Sequence, residues 1–336
     1  MKTYCVATVP RRRLAKKYSG TDHRFPAIIL AAILCLIHLP ALPDSPIIML
    51  VQSGNAPVYQ KISSTILSDL ESICPECSAY QIKQLNLDDE PVDALSGADS
   101  SGLKLLVTIG VNAARLISSS EIPVPRLHTL IPKSSSDTLK LDQSANTASV
   151  IYLDQPLSRQ LNLIRLIMTH NQVLGVLFGP VTAASRTLLE REAESLEIPI
   201  RAESVSAEDE VGPALRRVLD GSDILLALPD PLVYNRNTIF NIILSSYQNR
   251  IPVVGFSASY VKAGAMLAVH STPSDIGMHI AETIRQFIIT GEGGLPASAF
   301  PKYFSIEANK SVAHSLDINL PAAMDLKRRL EQMEGP

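Results

Sequence analysis

From residue 44 onward, short apolar runs alternate with segments whose apolar residues recur at a helical period. The runs are IIMLV (47–51), KLLVTIG (104–110), SVIYLD (149–154), VLGVLFG (173–179), DILLALP (223–229), IPVVGFS (251–257), MLAVHS (266–271) and YFSIE (303–307). Several are almost wholly apolar and rich in Val and Ile, which predicts parallel strands covered on both faces. Among the helical segments, PLSRQLNLIRLIMTH sets Leu157, Leu161, Ile164 and Met168 on one face, with Arg159, Gln160, Asn162 and Arg165 largely opposite. TPSDIGMHIAETIRQFIITG opens with Thr, Pro, Ser and Asp at capping positions and stops at Gly291. Strand and helix alternating at this length give a parallel sheet with helices on both faces.

The strands are too many for one small sheet. A polar stretch, PKSSSDTLKLDQSANTA (132–148), falls near the middle and reads as a domain crossing or an exposed loop. Two α/β lobes follow. The first comprises 44–147 plus 272–300 and the second 148–271 plus 301–336.

The first 43 residues stand apart. RRRLAKK (11–17) is basic and AIILAAILCLIHLPAL (27–42) is apolar and closed by prolines, the layout of a secretory leader. The apolar part is short of the roughly 20 residues of a membrane span, and an uncleaved anchor is the second reading. A periplasmic or secreted location follows, with membrane contact only through the leader or a partner. Two of the four cysteines fall in the leader, leaving CPEC at Cys74 and Cys77. One such pair is half of a structural zinc site, so it reads as a local disulfide or as two idle thiols.

Composition narrows the function. Of 336 residues, 46% are hydrophobic and 19% charged, and the net charge is −3, which gives no general attraction to nucleic acid. The chain has no Trp and only 5% aromatics, so stacking platforms for bases are scarce. GFSAS approaches a nucleophile elbow but ends in Ser259 where the second Gly is needed. Neither H-E-x-x-H, nor a phosphate-binding glycine loop, nor a convergent acid–base pair occurs. The chain reads as a non-enzyme with no cofactor, no metal site and no catalytic residue.

In open parallel sheets, ligands bind beyond the carboxyl ends of strands. The loops there are QSGNAP (52–57), GVNAA (110–114), GPVTAAS (179–185), PDPLVYN (229–235) and SASYVK (257–262). They supply backbone N–H groups and hydroxyls suited to a carboxylate on a helix dipole. Taken singly, Ser53, Asn55, Asn112 and Thr182 in them read first as helix caps. Asp230 ends a buried strand between fixed prolines. Its carboxylate either takes a ligand's ammonium, a bond worth roughly 1.5–3 kcal/mol, or complements the following helix.

SVIYLDQPLSRQLNLIRLI, VLGVLFGP, the long segment from DILLALPDPLVYN to STPSDIG, and YFSIEANKSVAHSLDINLP together resemble the substrate-binding proteins of ABC transporters whose better-known relatives bind tryptophan or other aromatic amino acids. IIMLVQSGNAPVYQKI and LLVTIGVNAARL match more loosely. The resemblance implies a periplasmic-binding-protein fold of type I, with two doubly wound parallel-sheet lobes joined by three crossings and closing on a ligand. It implies a periplasmic solute-binding protein of an uptake system that captures a small, amino-acid-like ligand, with an ABC permease as candidate partner. A ligand-sensing or accessory protein working with a receptor or sensor kinase is the alternative. By position, it brings Asp230, Ser257 and Tyr260 to the cleft from one lobe, and Thr108, Asn112, Ser53 and Asn55 from the other. Asn235, in the loop of Asp230, joins these candidates. The chain departs from the family at Asp230-Pro231, where many relatives carry Asp-Asn, and over 123–147 near the first crossing.

Overall fold

A computed structural model describes residues 45–90, 102–142, 147–169 and 172–335. The leader expected over 1–43 lies outside the described residues. The first sheet contains β1 (Ile47–Gln52), β2 (Gln81–Asn86), β3 (Leu103–Ile109), β4 (Arg126–Ile131) and β5 (Ala148–Tyr152). Its order is β2-β1-β3-β4-β5 and every pairing is parallel.

Period-two geometry explains why the central strands are apolar throughout. Ile48, Leu50, Leu105 and Val107 face α1 (Pro57–Ile73) and α9 (Pro273–Ile289), where they meet Ile62, Ile66, Ile280, Ile284 and Phe287. Met49, Val51 and Leu106 turn the other way, onto Ala113 and Ile117 of α2 (Val111–Ser118). Each such burial contributes on the order of 1.5–3 kcal/mol. The two helices of the first face approach closely at Gly277, where a Cβ would lie 2.7 Å from the Thr65 Cβ. At the head of α9, the Thr272 hydroxyl accepts the Asp275 amide at 3.1 Å and Asp275 accepts the Thr272 amide at 2.8 Å, the reciprocal cap that the sequence predicts.

The second sheet holds β6 (Leu174–Phe178), β7 (Ile200–Ser204), β8 (Ile224–Leu226), β9 (Val253–Gly255), β10 (Leu267–His270) and β11 (Ser305–Ala308). Its order is β11-β10-β9-β8-β6-β7, and only β11 is antiparallel to its neighbour. Val176, Phe178 and Leu226 pack on α4 (Leu157–Ile167), α5 (Arg186–Ser195) and α11 (Ala323–Glu334). Leu177, Leu225 and Val253 pack on α6 (Glu208–Leu219) and α7 (Ile239–Gln248).

The chain passes between the sheets three times. It leaves β5 for α4 through 153–156 and leaves β10 for α9 through 271–272. It returns to β11 after Ala299, whose amide and carbonyl bond to Val150 and Tyr152 at the edge of the first sheet. Two expectations are corrected here. Residues 148–152 belong to the first sheet, because β5 pairs with β4, so the first crossing begins at Leu153 rather than within 132–148. The polar stretch instead contains a short helix, α3 (Lys133–Leu139).

Beneath the crossings lies a side-chain network. Arg159, 5% exposed, donates to Glu334 through Nε and Nη2, both at 2.6 Å, and through Nη1 to Gln155 Oε1 at 2.7 Å and the Pro301 carbonyl at 2.9 Å. Gln155 Nε2 donates to the Ser271 hydroxyl at 2.9 Å, which donates to the Tyr303 carbonyl at 2.6 Å. This is why Arg159, expected on the polar face of α4, is buried; Gln160, expected on the same face, is buried too and donates to the Gln155 carbonyl at 3.2 Å. Cys74 and Cys77 form a disulfide within the core of the first lobe.

Candidate functional site

A cavity of about 600 Å³ opens at the carboxyl ends of both sheets. The first lobe contributes Pro132, Ser134 and Ser135 after β4. The first two crossings contribute 153–155 and Ser271, and the second lobe contributes Gln160 of α4, His270 at the end of β10 and the segments after β6, β8 and β9. It lies where ligands collect in doubly wound sheets.

Its aromatic wall is built by the loop after β8 and by the residues after β9, where the stretch 257–262 expected as a loop forms a short helix over Ala258–Ala263. Phe256 and Tyr260 stand 4.3 Å apart between ring centroids, and Tyr234 meets each edge-on at 6.2 Å. The Tyr260 hydroxyl donates to the Tyr234 carbonyl at 3.1 Å. Burial pushes the Tyr260 phenol up to about 12 and raises that of Tyr234 as well, so both rings act as neutral surfaces. Ser257, whose hydroxyl pairs with Ser259 at 2.7 Å, completes this side.

Asp230 borders the cavity, but its carboxylate is already satisfied. It is 1% exposed. Oδ2 accepts the Val181 amide at 2.9 Å, the Thr182 amide at 2.9 Å and the Thr182 hydroxyl at 3.1 Å, while Oδ1 accepts the Leu232 amide at 3.0 Å. The contact is so close that a Cβ on Gly179 would fall 2.3 Å from Oδ1. The acid flanked by prolines therefore fastens the loop after β8 to the loop after β6, and the ammonium expected there has no free acceptor. Asn235 finishes the turn. Its Oδ1 accepts the amides of Asn237 and Thr238 at 2.8 and 3.2 Å, and its Nδ2 donates to the carbonyls of Pro231 and Leu232. These bonds start α7, and Asn235 is not among the residues lining the cavity.

The candidates from β1 and β3 also stay outside the cavity lining. The Ser53 hydroxyl accepts the Ala113 amide at 2.9 Å and serves the first turn of α2. The Asn55 amide donates to Asp88 at 2.7 Å, and its side chain bonds Asp89 and Asn86. Thr108 is fully buried, its hydroxyl 2.9 Å from His128 Nδ1. Asn112 is exposed on α2.

Residues the sequence did not single out complete the lining. Asp154, half-buried, accepts the Lys133 amide at 2.5 Å. Burial pushes its carboxyl above the usual range. Gln160, Tyr234 and His270 each carry a buried polar atom without a partner: Oε1, the phenol oxygen and Nε2. Asp154 had a legible signal, since SVIYLD ends an apolar run on an acid just as DILLALPD does. Among the described residues, no group of three or more His, Cys, Asp or Glu is placed to hold a metal ion, and no helix is long and apolar enough to cross a membrane.

A family model described as ABC transporter substrate binding protein matches residues 88–328. No curated protein matches the sequence. Among solved structures, a conserved domain protein from Vibrio cholerae is 21% identical, with a TM-score of 0.55 over 85% of this chain and 98% of that one. A ligand-free, open substrate-binding protein with adhesive properties from Clostridium difficile is 16% identical, with a TM-score of 0.67 over 82% and 96%. An ABC domain in complex with L-Trp from Streptococcus pneumonia is 15% identical, with a TM-score of 0.55 over 85% and 98%. At these identities the likeness is one of fold.

Proposed function

The chain belongs to the ABC transporter substrate-binding family, a family of solute-binding proteins and not an enzyme class, and from that premise we propose that it captures a small amino-acid-like solute between its lobes for an ABC permease. The observation that carries the reading is the cavity of about 600 Å³ formed jointly by both sheets and two of the crossings. A volume of this order encloses a small metabolite. The Phe256–Tyr260 pair favours a solute with an apolar side chain. That one relative of the same fold was solved with L-Trp agrees with the reading.

Closure would favour the liganded population by the solute's differential affinity for the closed form. Export to the periplasm, or beyond the cell, belongs to the same proposal. The basic-then-apolar opening supports it, as does the Cys74–Cys77 disulfide, since such bonds persist in oxidising compartments. The test is a thermal-shift screen of amino acids and their analogues on the protein lacking residues 1–43. A solute present at 100 times its dissociation constant adds about 2.7 kcal/mol of stability. The Phe256→Ala variant should lose that shift; a shift that persists undiminished would place the solute elsewhere.

A further inference from the structure

Resting on the solute-binding reading above, the geometry points to Asp154 as the acceptor for a protonated amine carried by the solute. Among the described residues lining the cavity, two carry carboxylates, Asp154 and Asp230. Asp230 accepts four hydrogen bonds from its own chain and is closed to solvent. Asp154 sits just past β5, where the chain turns into the first crossing. Its carboxylate takes a hydrogen bond from the Lys133 amide. The ammonium of Lys133 is engaged elsewhere, 2.8 Å from Asp137 and above the Tyr152 ring. Among the described residues lining the cavity there is no lysine or arginine. Asp154 is thus a partly desolvated carboxylate with spare acceptor capacity, and among the described residues the nearby Lys133 ammonium makes its ion pair with Asp137 instead.

A second observation comes from the neighbouring helix. Gln160 is 4% exposed, and its amide nitrogen donates to the Gln155 carbonyl at 3.2 Å. That bond fixes which end of the amide is left over, and Oε1 has no partner. Gln160 Oε1 thus offers the cavity a second acceptor besides Asp154, which suits a solute carrying N–H groups. Burial raising the Asp154 carboxyl agrees with this. A cation beside it favours the charged form, and the interaction is a charge-assisted hydrogen bond. Leu153 and Val181, each 40% exposed, add to the Phe256–Tyr260 wall and provide for an apolar body behind the amine.

The test uses calorimetric titration with three sets of compounds sharing one apolar body: phenethylamine, L-phenylalanine and 3-phenylpropionate; tryptamine, L-tryptophan and indole-3-propionate; 3-methylbutylamine, L-leucine and 4-methylpentanoate. In at least one set the amine-bearing members should bind tenfold or more tightly than the acid-only member. Asp154→Asn should abolish that preference, whereas Glu331→Gln, the same change of charge on exposed α11, should keep it. An asparagine can still accept the Lys133 amide, so the melting temperature of the unliganded variant should match the parent. Equal binding of amine and acid members, undiminished amine binding by Asp154→Asn, or no binding by any amine in the three sets overturns the assignment. Binding lost in Phe256→Ala but kept in Asp154→Asn overturns the assignment alone. Binding kept in both variants overturns the cavity as the solute site, and with it the functional reading.

Discussion

Asp230 accepts both the amide and the hydroxyl of Thr182, at 2.9 and 3.1 Å, across 48 residues of sequence. The pair bridges two of the three segments that carry the second lobe's side of the cavity, those after β6 and β8, so it holds that part of the wall in shape before any solute arrives. Asp230→Ala removes the acceptor for four buried or half-buried donors, and each orphaned donor costs about 1–3 kcal/mol when water cannot replace the bond. With partial relaxation the expected loss is roughly 3 kcal/mol in urea unfolding. Thr182→Val should lose about 1 kcal/mol, and the double variant should cost less than the sum of the two. Strict additivity would show that the two loops are not coupled through this carboxylate.

That result bears on what the sequence discloses. The buried strands β1, β3, β6 and β8 are legible because helices cover both their faces. The caps of α9 are legible because Thr272 and Asp275 act within one turn. By contrast, β2 and β7 lie at sheet edges and show mixed exposure, so no apolar run marks them. Asp154 and Asp230 look alike in sequence, each ending an apolar strand ahead of proline. What separates them is the approach of Gly179, Val181 and Thr182, which reach Asp230 from the neighbouring strand's loop. The same limit applies to Ser53, Thr108 and Asn112. Their loops occupy the expected ends of strands, but the first lobe reaches the cavity through the loop after β4 and the crossing after β5, beside the hinge.

Arg159 makes the hinge network open to test. Its guanidinium joins the first crossing, the third crossing and the end of α11, and it lies 4.2 Å from the Phe304 ring centre. Arg159→Ala leaves the Glu334 carboxylate, Gln155 and the Pro301 carbonyl without their donor, and should cost about 3 kcal/mol. Arg159→Lys should recover less than half of this, since an ammonium cannot reproduce the fork. Glu334→Ala leaves the buried guanidinium without its carboxylate, so it should cost a comparable amount, about 3 kcal/mol. Equilibrium unfolding of the three variants checks the ranking. An Arg159→Ala protein as stable as the parent would remove the network's structural role.

The Cys74–Cys77 bond closes a loop of only a few residues at the foot of α1. In the chain-entropy account such a loop restricts the unfolded state by about 2 kcal/mol, well below the value for a long loop. Reduction, or the Cys74→Ser/Cys77→Ser double variant, should therefore lower stability by about that amount while leaving the protein folded. Unfolding curves with and without reductant measure it. A loss much above 4 kcal/mol would mean that packing of the two buried sulfurs, and not the loop, dominates.

His128 gives the protein a defined acid sensitivity. It is 1% exposed on β4, and burial, reinforced by Arg126, lowers its imidazole to about 4. The folded form therefore holds a neutral ring between pH 6.5 and 4, where the unfolded chain binds a proton. Stability rises with pH wherever the unfolded state binds more protons, so the contribution is complete above 6.5 and is lost on acidification towards 4. A shift of this size corresponds to about 3 kcal/mol across the window. His279, lowered to about 4 by its own burial, contributes in the same direction. The raised carboxyls of Asp154 and Glu192 work against both. The difference between parent and His128→Gln isolates the first term. That variant should be the less stable protein at pH 7, where the Thr108 contact is intact in the parent, and the gap should shrink by about 3 kcal/mol as the pH falls to 4. Urea midpoints at half-unit pH steps measure the gap. A gap that stays constant across the window would mean that the ring is charged in the fold and that the pair with Thr108 is not a neutral hydrogen bond.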